Sequence, residues 1–216
     1  MLKIATILPY KENYSKKKAA AASLWVYDFF RHSSLRKNNY IFGTTNEKDY
    51  LSDNYINIKI KGSKLTSTTN QYCNELIKKI DGKKFDLVEI HNRPLVFNIL
   101  KDKLDSNFII YFHNDPLSMK GSKSVKERLK ILENVEKIIF VSEWVRGRFF
   151  LDIDQKLQTK TEIVYPSVNK QKKIKKEKNI IFVGRLNYSK GYDIFKDAIL
   201  KILEKFPRWK AYSIGD

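Results

Sequence analysis

The sequence predicts an α/β protein built on a doubly wound parallel sheet, with a second, incomplete α/β domain after it. Three observations lead there. Short apolar runs of strand length alternate with longer stretches of helical periodicity along the chain. Several of those runs are nearly continuous in Ile, Val, Leu and Phe, as parallel strands covered on both faces require. Composition breaks once, after Pro166, where NKQKKIKKEK (169–178) carries six lysines and no aromatic residue. A solvated linker reads that way.

KIATIL (3–8), NYIFGT (39–44) and YINIKI (55–60) are expected strands, rich in β-branched and aromatic residues. FDLVEI (85–90), NFIIYF (107–112), KIIFVS (137–142) and a short TEIVY (161–165) continue the series. Helical spacing places Ala20, Leu24 and Tyr27 on one face over 17–32. A Ser/Thr cluster opens a helix over 68–80, and Val125, Leu129 and Leu132 recur at i, i+4 and i+7 over 122–135. Beyond the linker, NIIFVG reads as a strand, 190–206 as a helix and WKAYSIG as another strand. One βαβ unit is too small to bury its own apolar faces. The expected organisation is therefore a first domain over 1–168, a basic linker over 169–178, and the beginning of a second domain over 179–216.

The chain of 216 residues has 42 Lys+Arg against 24 Asp+Glu, a formal net charge of +18. Nucleic acid, an anionic membrane and a phosphorylated ligand all fit that balance, and so does a lysine-rich genome with no functional meaning. The basic residues are scattered and no recognised nucleic-acid motif occurs, so nucleic acid is not an expected partner. A single cysteine, Cys73, forbids an internal disulfide and suits a reducing compartment. No apolar run approaches the roughly 20 residues of a membrane-spanning helix. A cytoplasmic protein is expected, with the inner face of the cell membrane as its peripheral location if it docks there.

The most informative stretch is VGRLNYSKG (183–191), where a strand hands over to a helix. Ligands of open α/β sheets gather at the carboxyl ends of strands, where helix N-termini present unpaired N–H groups. Gly184 has no Cβ to block a ligand, Arg185 has a fork of donors for phosphate oxygens, and Lys190 adds a point charge. The chemistry points to a diphosphate, although neither GxxxxGK[ST] nor GxGxxG occurs. Two glycines shaping a turn, with both cations in water, would leave the same sequence. Upstream, FDLVEIHNRP (85–94) and FIIYFHNDP (108–116) each finish in a His-Asn pair. His91, Asn92, Arg93, His113, Asn114 and Asp115 are expected to line one cleft. Plainer roles stand beside that reading: a structural His91, and an Asp115 that caps the turn at Pro116.

FVGRLNYSKGYDIFKDAI resembles the start of the C-terminal domain of retaining GT-B-type glycosyltransferases, the large "family four" group, and YSIGD resembles the strand and turn that come next. The HNRP and HND segments are similar to those of a subgroup linked to cell-surface polysaccharide and spore-coat glycosylation. KIIFVSEWVRGRFF and YPSVN resemble the last strand-helix unit of the first domain and its crossover. The resemblance implies two Rossmann-like domains, an acceptor side first and a nucleotide-sugar side second. It implies that Gly184, Arg185 and Lys190 meet the donor diphosphate, and that His113 contacts the sugar beside its anomeric centre. It implies no metal, a UDP-, GDP- or ADP-linked donor, and a carbohydrate or lipid-linked acceptor of the cell envelope.

Two departures accompany the resemblance. PYKENYSKKKAAAAS lacks the glycine pair that family members carry after the first strand, with Lys16, Lys17 and Lys18 bringing positive charge there instead. The family's glutamate pair would lie roughly a hundred residues beyond Asp216, so the chain is expected to be a fragment, natural or engineered. An inactive acceptor- or membrane-binding fragment is the alternative function. Apolar surface on an incomplete second domain predicts self-association. No GxSxG elbow and no metal-ligand spacing occurs, so no metal is expected.

Overall fold

A computed structural model describes residues 2–60, 62, 65–80, 82–168 and 175–215. Most of the basic linker expected at 169–178 lies outside the described residues. The chain divides into two compact units, Met1–Val168 and Asn169–Asp216.

The first unit alternates strands and helices in chain order: β1 Ile4–Ile7, α1 Ala21–Arg31, β2 Asn39–Gly43, β3 Tyr55–Asn57, α2 Thr68–Ile80, β4 Leu87–His91, α3 Pro94–Leu100, β5 Asn107–Phe112, α4 Val125–Asn134, β6 Lys137–Phe140, α5 Glu143–Phe149 and β7 Thr161–Ile163. All seven strands are parallel, in the order β3-β2-β1-β4-β5-β6-β7. The chain runs outward from β1 to β3 and then returns to lay β4 on the other side of β1. The topological switch point therefore falls between β1 and β4, where ligands of such sheets bind.

The pleat sorts each strand's side chains between two layers. Val88 and Ile90 of β4, Ile110 and Phe112 of β5, and Phe140 of β6 join a core covered by Leu76 of α2, Phe97 of α3, Ile131 of α4 and Phe149 of α5. Rings of Phe112, Phe140 and Phe149 pack with centroids 5.3 to 5.7 Å apart. Aromatic pairs of this kind, here one stacked and two tilted, contribute about 1 kcal/mol each beyond simple area burial. On the opposite face α1 lays Val26 over Leu8, Ile41 and Tyr55.

The helices begin where local chemistry permits. Ser124 and Glu127 form a reciprocal capping box at α4, and the Ser142 hydroxyl accepts from the Val145 N–H at α5. Helix α3, which the spacing does not announce, opens on Pro94, whose ring presets the first helical φ and whose missing N–H would have had no partner. β3 is shorter than the run YINIKI suggests, because only one neighbour is available at the sheet edge. Arg128 is buried, and its guanidinium donates to the Lys123 carbonyl at 2.8 Å and to the Leu151 carbonyl, tying α4 to the loop after α5.

The second unit consists of β8 Asn179–Val183, α6 Tyr192–Lys205 and β9 Lys210–Ile214, with β8 and β9 parallel. Ile199 is the buried residue of α6, while Val183 is 74% exposed and Ile194 70%. Among the described residues no helix is long and apolar enough to cross a membrane, and no group of three or more His, Cys, Asp or Glu is placed to hold a metal ion.

Candidate functional site

At the switch point, the loops after β1 and β4 meet. Asn92 follows β4 with a left-handed φ of 52°, a conformation that asparagine tolerates better than most residues. It is pinned there twice: its N–H donates to the Tyr111 carbonyl at 2.8 Å, and its Oδ1 accepts from the His113 N–H at 2.7 Å. That backbone turn carries Arg93 to the start of α3, where its guanidinium lies 5.2 Å from the Tyr10 ring centroid. Arg93 Nη1 donates to the Asn92 carbonyl at 3.3 Å, and its buried Nε has no partner among the described residues. Tyr10, Asn92, Arg93, Asn114 and Lys120 line a cavity of about 300 Å³. Next to Lys120, Gly121 has a φ of 94°, and a Cβ there would meet the Leu95 nitrogen at 2.8 Å. Glu12 lies nearby; burial pushes its carboxyl up, against the pull of the Arg93 charge and the Ala22 N–H.

The histidines occupy the other face of the sheet, beneath α1. His91 Nδ1 is 2.8 Å from His113 Nε2. His91 stacks on its register partner Tyr111 with centroids 4.4 Å apart, and the Trp25 ring of α1 meets His91, Tyr111 and His113 at 5.2 to 5.7 Å. Burial pushes the His91 imidazole well down, and nearby His113 adds to this; burial alone lowers His113 to about 4. Both rings are therefore neutral near pH 7, and one donates the shared proton. His91 Nε2 is buried without a partner among the described residues.

A polar chain underlies the pair. Asn39 Nδ2 donates to Thr6 Oγ1 at 3.0 Å, Thr6 Oγ1 donates to Glu89 Oε2 at 2.7 Å, and the Tyr111 hydroxyl donates to Glu89 Oε1 at 3.3 Å. Burial raises the Glu89 carboxyl, against the two hydroxyls that donate to it.

The six residues expected in one cleft are thus divided by the structure. Asn92, Arg93 and Asn114 line the switch-point cavity, while His91 and His113 pack under α1. Asp115 accepts from the Leu117 N–H at 3.0 Å and from Arg148 at 3.1 to 3.2 Å, so its carboxylate serves the turn at Pro116 and holds α5. Burial would raise that carboxyl, but Arg148 and the Leu117 N–H hold it below its ordinary value. In the loop after β1, Lys18 pairs with Glu47 at 3.3 Å, and Ser15 bridges Tyr50.

In the second unit, Gly184 directly follows β8 and donates its N–H to the Ile214 carbonyl at 2.9 Å. A turn over Tyr188–Lys190 leads to Gly191, whose left-handed φ of 71° starts α6. Arg185 and Lys190 are exposed and form no ion pair among the described residues. Gly215 crosses so close that a Cβ there would lie 1.8 Å from the Gly184 oxygen, which fixes the end of β9 against the turn.

Sequence reasoning did not pick out Tyr10, Trp25 or Tyr111, whose roles come from residues distant in the chain. Glu89 carried a visible signal, a carboxylate inside the apolar run FDLVEI.

No protein-family model matches the chain. Over 157 residues it is 24% identical to the Bacillus subtilis protein named "Putative glycosyltransferase YtcC", and over 153 residues 28% identical to spore coat protein SA of the same organism. Those matches take in 63% and 61% of this chain, and 38% and 40% of the relatives. Among solved structures, Anabaena Alr3699/HepE in complex with UDP and glucose superposes with a TM-score of 0.69 at 13% identity, over 99% of this chain and 61% of that one. Sucrose-phosphate synthase from Thermosynechococcus elongatus gives 0.68 at 13% identity, over 100% and 62%. A UDP-N-acetylglucosamine 2-epimerase from Rickettsia bellii gives 0.53 at 11% identity, over 99% and 62%. The fold is thus shared with an enzyme of another activity, and function must be argued from the site. The chain therefore shares the two-domain α/β fold of those structures, resembles in sequence two Bacillus subtilis proteins of which one is named a glycosyltransferase, and spans less than half the length of those relatives.

Proposed function

We propose that the chain is part of a retaining glycosyltransferase that moves a sugar from a nucleotide diphosphate sugar to a cell-envelope or polysaccharide acceptor. The observation that carries this reading is the turn from Gly184 to Gly191, where two cations with no ion-pair partner among the described residues stand at the carboxyl end of a parallel strand, before a helix N-terminus. Support comes from the similarly folded HepE structure, which is a complex with UDP and glucose.

In the reaction the bond from the anomeric carbon to the diphosphate oxygen breaks, and negative charge develops on the leaving group. Arg185 and Lys190 stabilise that charge, in the way fixed donors act on a developing anion. The acceptor oxygen bonds to the same face of the sugar, and its proton passes to a leaving-phosphate oxygen. His113, neutral and held by His91, orients the sugar rather than taking the proton. No step requires a metal. Arg93, Asn92 and Asn114 hold the acceptor at the switch-point cavity of the first unit.

Calorimetric titration with UDP, GDP and ADP tests this. Saturable binding of one of them, weakened tenfold or more in Arg185→Ala/Lys190→Ala, is expected, since each charge-assisted contact contributes about 1.5–3 kcal/mol. Equal binding by the variant, or none by the parent chain, overturns the donor-site assignment.

A further inference from the structure

A second and larger cavity, of about 780 Å³, opens at the carboxyl ends of β1, β2 and β3. It has the volume of a small-ligand site, and three features describe what would fill it.

First, its walls are braced. Thr45 Oγ1 donates to Asn13 Oδ1 at 3.0 Å, the Thr45 N–H donates to Asn57 Oδ1 at 3.0 Å, and Asn57 Nδ2 returns a bond to the Thr45 carbonyl at 2.9 Å. The loops after β1 and β2 are thereby locked to the end of β3. Second, the charge is one-sided. Lys11, Lys48 and Lys59 line the cavity and form no ion pair among the described residues, while its acid, Glu47, is neutralised by Lys18 at 3.3 Å. Clustered like charge in a concave site focuses its field on an oppositely charged ligand. Third, Tyr10 and Tyr50 supply flat apolar sides, each ring fixed by another tyrosine: Tyr10 lies 5.8 Å from Tyr72, and Tyr50 lies 4.8 Å from Tyr55. Tyr10 also lines the switch-point cavity, so the two sites share a wall.

We propose that this cavity binds an anionic sugar, its phosphate or carboxylate held by Lys11, Lys48 and Lys59 and its ring laid against Tyr10 or Tyr50. The inference rests on the glycosyltransferase reading and deepens it, because it makes the acceptor an anionic glycan with its charged residue beside the reacting one. Inorganic phosphate lacks the ring that tyrosine covers, and glucose lacks the charge, so neither fragment alone matches the sugar phosphate.

The test is an NMR titration of the 15N-labelled chain with glucose 6-phosphate, glucose and inorganic phosphate, following the Thr45 and Asn57 amides. Glucose 6-phosphate is expected to bind at least tenfold tighter than either fragment. Lys48→Gln/Lys59→Gln should weaken it tenfold or more, and Lys48→Arg/Lys59→Arg should restore it with the same circular dichroism. Equal binding of glucose or of phosphate overturns the proposal, as does a Gln variant that binds like the parent. Phosphatidylglycerol vesicles separate the sources of the anion. Vesicle binding lost in the Gln variant, without sugar-phosphate binding, would make the lysines a membrane-docking surface and also overturn it. UDP, GDP and ADP titrated in parallel keep the two readings apart. Nucleotide binding without sugar-phosphate binding defeats this proposal alone, and the converse defeats the donor reading while leaving the anionic-sugar site.

Discussion

His91 and His113 face each other across 2.8 Å, Nδ1 to Nε2, between the Trp25 ring and the stacked Tyr111 ring. Two imidazoles so close and so buried cannot both be charged, and this sets a pH dependence. Each has a native pKa below its unfolded value, so between the two values the unfolded chain binds more protons. The stabilisation is then fully present above about pH 6.5 and is lost as pH falls toward the native value of about 4 for His113. A change from 6.5 to about 4 corresponds to roughly 3 kcal/mol. Urea unfolding of the wild type and of His91→Gln/His113→Gln isolates this part. Their difference should shrink steadily from pH 7 to pH 4, and a constant difference would refute the neutral pair.

Glu89 has the opposite sign. Its native pKa is raised by burial, so its stabilising protonated form is complete below about pH 4.5 and is lost as pH rises through the native value. Glu89→Gln keeps an acceptor for Thr6 and removes the buried charge. The variant is expected to be more stable than the wild type at pH 8, by about 1–2 kcal/mol, and to lose that advantage near pH 4.5. A variant less stable at pH 8 would mean that Thr6 and Tyr111 stabilise the carboxylate more than burial opposes it.

Gly121→Ala addresses the switch-point cavity. A left-handed φ of 94° and a 2.8 Å approach to the Leu95 backbone leave no room for a methyl group. The substitution should cost about 1–3 kcal/mol and displace the segment that carries Lys120. Unchanged urea unfolding would show that the loop relaxes freely.

Much of this was legible in the sequence because strands and helices of a doubly wound sheet carry different apolar periods. The helix over 68–80 follows from its Ser/Thr opening and apolar spacing, and it is observed at Thr68–Ile80. Helix α3 was hidden because HNRPLVFNIL places an apolar run directly after a strand end, with no polar cap to mark the break. The division of the His-Asn pairs has a similar cause. Adjacent residues at a strand end alternate faces, and the left-handed turn at Asn92 redirects Arg93 again. Sequence adjacency shows that His91 and Arg93 leave the same strand, but not that one goes under α1 and the other to Tyr10. Tyr10 owes its role to Arg93, more than 80 residues away in the chain, a pairing that only the β1–β4 register creates.

The central claim is that the turn from Gly184 to Gly191 takes the diphosphate of a nucleotide sugar. The most direct measurement is an amide NMR titration of this chain with the nucleotide diphosphate that binds and with its parent nucleoside. The account predicts shifts at Gly184, Arg185, Lys190 and Gly191 with the diphosphate and none there with the nucleoside. Shifts produced equally by the nucleoside, or confined to residues outside that turn, would contradict it.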